Sequence, residues 1–222
     1  MVKFFMSFGS RNLRSGGSTV IMETMKDDKY VVLVDMDGVL AEFDDEVVSR
    51  IRDRHPHVPI LEERSHFYLY EDYDEHARLV MELSDEEGFF EALPLGLQAI
   101  AGWQRLVDLG YHPRICSAPK LSNPHSEREK LIWLRKYFVP VFGEYVVDEA
   151  IITRDKHEYD GIALIDDRPE IRHSDKAKWQ HILFTRPYNK NVKGPRIDGW
   201  LDENLPAILS AAAVEYGKIS KK

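Results

Sequence analysis

The chain has 222 residues, of which 43% are hydrophobic and 31% charged, as in ordinary globular proteins, and its formal net charge is −8. This acidic balance disfavours long nucleic acid as a partner, although a local cluster of cations with a metal ion can still bind a small anion. The single cysteine, Cys116, excludes an internal disulfide and a cysteine-built zinc site. No apolar run approaches the roughly 18 residues that span a membrane, so we expect no membrane partner.

Residues 1–22 differ in composition from the rest of the chain, and no acidic residue precedes Glu23. One interpretation is an organelle-targeting presequence, which is typically basic, Ser-rich and poor in acids. The other is a disordered leader, or an upstream start with Met22 or Met25 as the true first residue. We predict a disordered leader over residues 1–27 and a cytoplasmic location, which the lone cysteine also fits.

Apolar runs alternate with helical patterns along the remaining chain. Strands are predicted at 30–34, 114–116, 150–152, 162–165 and 181–184, and core helices over about 100–107, 123–138 and 201–216. Continuous apolar, β-branched runs are typical of strands buried on both faces. The pattern predicts an α/β fold with a parallel sheet flanked by helices. Residues 44–93 read as a small helical cap inserted after the first strand, which leaves 28–43 and 94–222 as the core domain.

Two capping signals mark the helix that follows the second strand. Asn123 precedes Pro124, which suits the first helical position, and Ser126 and Glu129 have the spacing of a capping box. We therefore expect polar side chains of this segment to cap the helix that they begin.

Polar residues follow three of the predicted strands. Asp35 and Asp37 follow the first strand, Ser117 the second, and Asp166 and Asp167 the fourth. The carboxyl ends of parallel strands lie on one edge of a sheet, so these side chains should converge. Four carboxylates repel one another unless a cation holds them or some are protonated. All the ligands are oxygen atoms, which predicts Mg²⁺.

The spacing of Asp35 and Asp37 predicts a phosphoryl-transfer mechanism. Alternation along an extended chain points both side chains to the same side. Asp35 would be the nucleophile and form an aspartyl-phosphate, and Asp37 would be the acid and base at the leaving oxygen and at water. Ser117 and Lys130 would neutralise charge on the transferred phosphoryl group.

These residues resemble known motifs. Residues 35–41, Asp-Met-Asp-Gly-Val-Leu-Ala, resemble motif I of the haloacid dehalogenase (HAD) superfamily phosphatases, with Ser117 similar to motif II, Lys130 to motif III and Asp166-Asp167 to motif IV. Residues 34–43, 88–90, 115–119, 129–133, 153–156, 164–169 and 179–185 are similar to the 5′(3′)-deoxyribonucleotidase family.

The resemblance implies a HAD-like Rossmannoid core with a small cap, Mg²⁺, and removal of phosphate from nucleoside monophosphates. It implies Asp35, the backbone carbonyl of Asp37 and Asp167 as metal ligands, with Asp166 behind them or exchanged with Asp167. The implied substrate-binding residues are Phe43, Phe67, Tyr68, Ala118, Arg154 and Lys156. Ala118 departs from the usual Thr-Ser-Pro of the family and puts base and sugar preference in doubt.

Two alternatives stay open at this stage. One is a HAD phosphatase for another small phosphomonoester, such as a sugar phosphate or a 3′-phosphate end. The other is a catalytically silent, metal-binding interaction module, since fold alone does not guarantee activity. The expected partner is a small-molecule nucleotide, and a homodimer remains an open option.

Overall fold

A computed structural model describes residues 30–219, so the leader predicted over residues 1–27 lies outside the described residues. Six parallel strands form one sheet: β1 (Val31–Val34), β2 (His112–Ser117), β3 (Ile151–Ile152), β4 (Ala163–Asp166), β5 (Gln180–Phe184) and β6 (Arg196–Ile197). Their order is β3-β2-β1-β4-β5-β6, so the chain reverses its winding direction between β1 and β4. Parallel sheets of this kind bind ligands at such a reversal.

Helices cover the sheet and form an insertion after β1. The inserted helices are α1 (Phe43–Arg54), α2 (Ala77–Leu83) and α3 (Phe89–Ala92), with 3₁₀ turns at Leu69–Asp72 and Asp74–His76. The helices of the core are α4 (Ala99–Asp108), α5 (Ser126–Tyr137), α6 (Val139–Phe142), α7 (Tyr145–Asp148) and α8 (Leu205–Ile219). The predicted α/β class is therefore confirmed. In residues 30–219 no helix is long and apolar enough to cross a membrane.

The core is built from the apolar runs that predicted the central strands. All four residues of β1 and of β4 are buried, and the buried indoles of Trp103, Trp133 and Trp200 add large apolar surfaces. Burying a large apolar side chain contributes roughly 1.5–3 kcal/mol. A Cβ at Gly102 would overlap the indole of Trp200, so this position of α4 requires a glycine for close packing.

Two elements at the end of the chain differ from the sequence prediction. Strand β6 has only two residues and is too short to give a periodic signal. Helix α8 begins at Leu205 rather than at Leu201. The Asp202 carboxylate accepts the backbone N–H groups of Asn204 (2.8 Å) and Asp198 (2.9 Å), which holds a turn ahead of the helix.

The capping box predicted for Ser126 and Glu129 is wrong, because no side-chain cap hydrogen bond forms at His125, directly before α5. The oxygen of the Asn123 amide does accept the backbone N–H of His125 (2.9 Å), in the turn that leads into this helix. The Ser126 hydroxyl instead pairs with the backbone of Lys120, and the Asn123 amide donates to two backbone carbonyls between α2 and α3. Glu129 also binds that segment. The NH₂ group of Asn123 and the Glu129 carboxylate thus make tertiary contacts with the segment between β1 and β2.

Candidate active site

The carboxyl ends of β1, β2 and β4 lie side by side, and each is followed or ended by a polar residue. Asp35 follows β1, Ser117 ends β2, Asp166 ends β4, and Asp167 comes next along the chain. All four side chains are buried. The structure thus brings together the strand-end residues that the sequence placed on one edge.

Three carboxylates in this group are close enough to share one cation. One oxygen from each of Asp35, Asp166 and Asp167 lies within 4.8 Å of the other two. Burial raises the pKa of Asp35, and burial with repulsion from Asp166 and Asp35 raises the pKa of Asp167 well above its usual range. A divalent cation would relieve this repulsion, and an all-oxygen donor set fits a hard ion.

Lys156 joins two of these carboxylates. Its Nζ atom lies 2.7 Å from Asp35 Oδ1 and 2.5 Å from Asp166 Oδ2. Burial lowers the pKa of Lys156, but attraction from Asp166 and Asp35 outweighs it, and the pKa is raised. Burial likewise raises the pKa of Asp166, but attraction from Lys156 outweighs it, and this pKa is lowered. Lys156 and Asp166 therefore form a buried ion pair next to Asp35.

Lys130 contacts a different carboxylate. It is fully buried, and its Nζ atom lies 2.6 Å from Asp37 Oδ2 and 2.9 Å from Ser117 Oγ. The family resemblance assigned the motif III role to Lys130 and a place on the substrate side to Lys156. In the structure Lys156 contacts Asp35 and lines the cavity, whereas Lys130 contacts Asp37 and is not among the lining residues. Asp37 Oδ1 is buried and has no hydrogen-bond partner within residues 30–219.

The loop after β5 supplies three residues that sequence reasoning missed. The Tyr188 hydroxyl donates to Asp167 Oδ2, the Asn189 amide donates to the Asp167 carbonyl (2.7 Å), and Arg186 Nε donates to the Gly38 carbonyl (2.6 Å). The available signal was their position directly after the last predicted strand, at the same sheet edge as the acids.

Gly38 faces Asp167 at close range. It has a φ of +74°, and a Cβ at this position would overlap the Asp167 carboxylate. Glycine adopts this left-handed backbone without a steric cost. The turn after Asp37 therefore requires glycine for two reasons, its conformation and its nearness to the Asp167 carboxylate.

The acids open into one cavity of about 550 Å³ between the sheet edge and the insertion. Its lining includes all six residues that the family resemblance assigned to substrate, which are Phe43, Phe67, Tyr68, Ala118, Arg154 and Lys156. The cavity also has lining residues that sequence reasoning did not assign, including Arg64, Phe90, Lys120 and Arg168.

Aromatic rings and a guanidinium group line this cavity where it faces the insertion. The ring of Phe67 lies 5.1 Å from that of Tyr68 and 5.7 Å from that of Tyr188. The Arg168 guanidinium lies 4.7 Å from the Phe67 ring centroid and donates to the Tyr68 hydroxyl (2.7 Å). Flat apolar faces with a hydrogen-bonding cation suit a planar, polar-edged ring system.

Several curated proteins are similar in sequence to this chain over most of its length. A protein of Bordetella pertussis, whose name assigns it provisionally to the 5′(3′)-deoxyribonucleotidases, is 36% identical over 76% of this chain and 90% of its own length. The human cytosolic-type 5′(3′)-deoxyribonucleotidase is 36% identical, with coverages of 77% and 89%. The human mitochondrial 5′(3′)-deoxyribonucleotidase is 34% identical, with coverages of 78% and 79%. Proteins with these names are hydrolases.

A family model also matches. It is described as "5′ nucleotidase, deoxy (Pyrimidine), cytosolic type C protein" and covers residues 29–213, which include both the sheet and the insertion. The resemblance to 5′(3′)-deoxyribonucleotidases seen in the motifs is thereby confirmed. The chain belongs to this 5′ nucleotidase family.

Proposed function

We propose that this protein is a Mg²⁺-dependent phosphomonoesterase that hydrolyses deoxynucleoside monophosphates through an aspartyl-phosphate on Asp35. The observation that supports this best is that the two motif I acids have different partners. Asp35 Oδ1 lies 2.7 Å from Lys156 Nζ and belongs to the cluster of three carboxylates. Asp37 Oδ2 lies 2.6 Å from Lys130 Nζ, and its Oδ1 atom has no hydrogen-bond partner within residues 30–219, which leaves it available to the leaving oxygen.

The chain's own residues supply both chemical steps. An Asp35 oxygen attacks phosphorus, the P–O ester bond breaks, and Asp37 delivers its proton to the departing alkoxide. Water then attacks the phosphorus of the aspartyl-phosphate and gives a proton to Asp37. This step releases inorganic phosphate and restores Asp35. The Ser117 hydroxyl and the ammonium groups of Lys130 and Lys156 stabilise the negative charge on the transferred phosphoryl group.

The hydrogen bonds of the clustered acids support one choice of metal ligands. Both oxygens of Asp166 already accept hydrogen bonds, one from Lys156 and one from the Arg168 backbone N–H (2.8 Å). Within residues 30–219, Asp167 accepts a hydrogen bond on only one carboxylate oxygen, from Tyr188. We therefore assign Asp35, Asp167 and the Asp37 backbone carbonyl as ligands, with Asp166 as their support. When bound, Mg²⁺ neutralises the carboxylates and the phosphoryl oxygens.

The cavity supports a nucleotide as the substrate. Its volume of about 550 Å³ falls within the usual range for small-ligand sites. The Phe67 and Tyr68 rings offer faces for a base, and Arg168 offers donors at their edge. The relatives' names point to deoxynucleotides with a 5′- or 3′-phosphate, and we extend that substrate class to this chain.

A substrate panel tests this proposal. Phosphate release is measured from dUMP, dTMP, their 3′-phosphate isomers and sugar phosphates, with and without Mg²⁺. We expect the highest kcat/KM on a deoxynucleotide and loss of turnover when the metal is chelated. Preference for a sugar phosphate would favour the alternative phosphomonoesterase. No turnover on any substrate would favour the silent module.

Two expectations about context stay predictions. The relatives' names include a cytosolic and a mitochondrial protein, so the cytoplasmic location is not decided by similarity. The homodimer is likewise a prediction, which sedimentation of the purified protein would test.

A further inference from the structure

Glu129 is a fully buried carboxylate without a cationic partner among the described residues. Its Oε1 atom accepts the backbone N–H of Gly88 (2.7 Å), and its Oε2 atom accepts the backbone N–H of Phe90 (3.0 Å). Burying a carboxylate is costly, so its hydrogen bonds must compensate. Both of them go to the chain that returns from the insertion to the core.

The two N–H groups require a carboxylate at this position. Each carboxylate oxygen accepts one of them, whereas a glutamine has one accepting oxygen and one donating NH₂ group. Glutamine would therefore point a donor at one of the two N–H groups. The site therefore requires an acid for its two acceptors, and no cation within residues 30–219 pairs with it.

Phe90 connects this contact to the cavity. It lines the cavity, and its ring centroid lies 6.3 Å from that of Phe43 and 5.1 Å from Lys130 Nζ. Glu129 and Lys130 are neighbours on α5. One holds the backbone of Phe90, and the other contacts Asp37 and the face of the Phe90 ring.

Other hydrogen bonds attach the segment before α3 to the core, and none of those described next involves Phe90. The Asn123 amide donates to the carbonyls of Ser84 and Glu86, both at 3.1 Å, and Lys120 Nζ donates to Ser84 Oγ at 2.6 Å. Loss of one Glu129 hydrogen bond should therefore move the start of α3 and leave the insertion attached to the core.

We propose that Glu129 is a positioning residue for substrate selectivity, because it fixes Phe90 as a wall of the cavity. This inference rests on the proposed nucleotidase function and adds a determinant of base binding to it. Glu129 touches neither the acids nor the cavity and acts through the backbone of Phe90. Phe90 lies beside Phe43, to which the family resemblance assigns substrate contact, so Glu129 sets how well the nucleoside part of the substrate fits. It contacts no group that takes part in the phosphoryl chemistry at Asp35.

The first test compares Glu129→Gln with Asp202→Asn. Asp202 also accepts two backbone N–H groups, but it lies on the turn before α8 and outside the cavity lining, so it is a matched control. For Glu129→Gln we expect KM for dTMP to rise about tenfold, the scale of one hydrogen bond to a charged group. We expect kcat for dTMP, and kcat/KM for glycerol 2-phosphate, which has no base, to stay within about threefold. Asp202→Asn should change none of these.

A second test uses thymidine, which has no phosphate and is not hydrolysed. Its affinity therefore reports on the cavity wall at Phe90 without turnover. Calorimetry should give about tenfold weaker binding for Glu129→Gln and unchanged binding for Asp202→Asn. Equal losses on dTMP and glycerol 2-phosphate, or unchanged thymidine binding, would overturn the positioning role. Inactive wild-type protein would overturn the proposed function instead, and thymidine binding would still decide the role of Glu129.

A double-mutant cycle tests the route through Phe90. If Glu129 acts through this ring, Phe90→Leu and the double variant Glu129→Gln/Phe90→Leu should have the same KM for dTMP. Independent, additive increases in KM would contradict the route. If circular dichroism shows that Glu129→Gln does not fold, Glu129→Asp, which keeps both acceptors on a shorter side chain, replaces it with the same selective rise in KM expected.

Discussion

The hydroxyl of Tyr188 donates a hydrogen bond to the carboxylate of Asp167. Burial raises the pKa of Tyr188, and the nearby Asp167 charge raises it further, so the phenol keeps its proton at neutral pH. The guanidinium of Arg64, from the insertion, lies 4.3 Å from the centroid of the same ring. Tyr188 thus fixes one oxygen of Asp167 and leaves the other available to the proposed metal ion.

Tyr188→Phe should therefore weaken metal binding. Groups that orient a ligand from outside typically account for 10–100-fold in metal affinity, and we expect at least about a tenfold loss here. Mn²⁺ binding followed by electron paramagnetic resonance measures this without turnover. Tyr216→Phe, on α8, is the control and should keep wild-type affinity. Equal Mn²⁺ affinity in both variants would contradict the orienting role.

Asp35→Asn should abolish turnover and keep the fold. An amide is a poor nucleophile, and loss of a group that acts together with its partners costs roughly 10³-fold or more in kcat. Beryllium fluoride gives an independent readout, because it forms a phosphate-like adduct on a nucleophilic carboxylate. We expect the adduct on wild-type protein and on Asp37→Asn, and none on Asp35→Asn. An adduct on the last variant would disprove the assignment of Asp35.

The fold could be predicted from the sequence wherever the local sequence pattern determines the secondary structure. The apolar run of β1 and the acids directly after it gave both the parallel sheet and the position of Asp35. The two residues of β6 contain too little chain for any pattern. Short pairs of this kind form because the neighbouring strand is already in place, and that is a property of the tertiary structure.

The site was predictable at the strand ends but not for side chains that reach across the fold. Lys130 and Lys156 both follow strand-end loops, and their spacing in the chain does not reveal which ammonium meets Asp35. Which ammonium group meets Asp35 depends on the orientation of two elements, α5 and the turn at Lys156–Glu158. Glu129 had the spacing of a capping box, yet it binds a segment 39 to 41 residues earlier. Local spacing cannot reveal such a distant competitor.

Gly38→Ala should abolish activity by disturbing the metal site. The new Cβ would overlap the Asp167 carboxylate and would also strain a backbone with a φ of +74°. Gly110→Ala is the matched control, because Gly110 has a φ of +85° but open space around its Cβ position. Both variants should lose about 1–2 kcal/mol of unfolding free energy from backbone strain. Only Gly38→Ala should lose turnover and Mn²⁺ binding, and equal activities would refute the steric explanation.

The pair formed by His66 and Asp72 should make the cap loop sensitive to pH. The hydrogen bond to Asp72 (2.7 Å) and its negative charge raise the pKa of His66. The contribution of this pair to folding stability is complete below the unfolded-state pKa of His66, about 6.5. It is lost as the pH rises through the higher pKa of His66 in the folded protein. Because His66 precedes Phe67 and Tyr68, we expect the loop that presents these rings to loosen above that pH. NMR titration should give a pKa above 6.5 for His66 and a lower one in Asp72→Asn. An unchanged titration in Asp72→Asn would show that this contact does not control the protonation of His66.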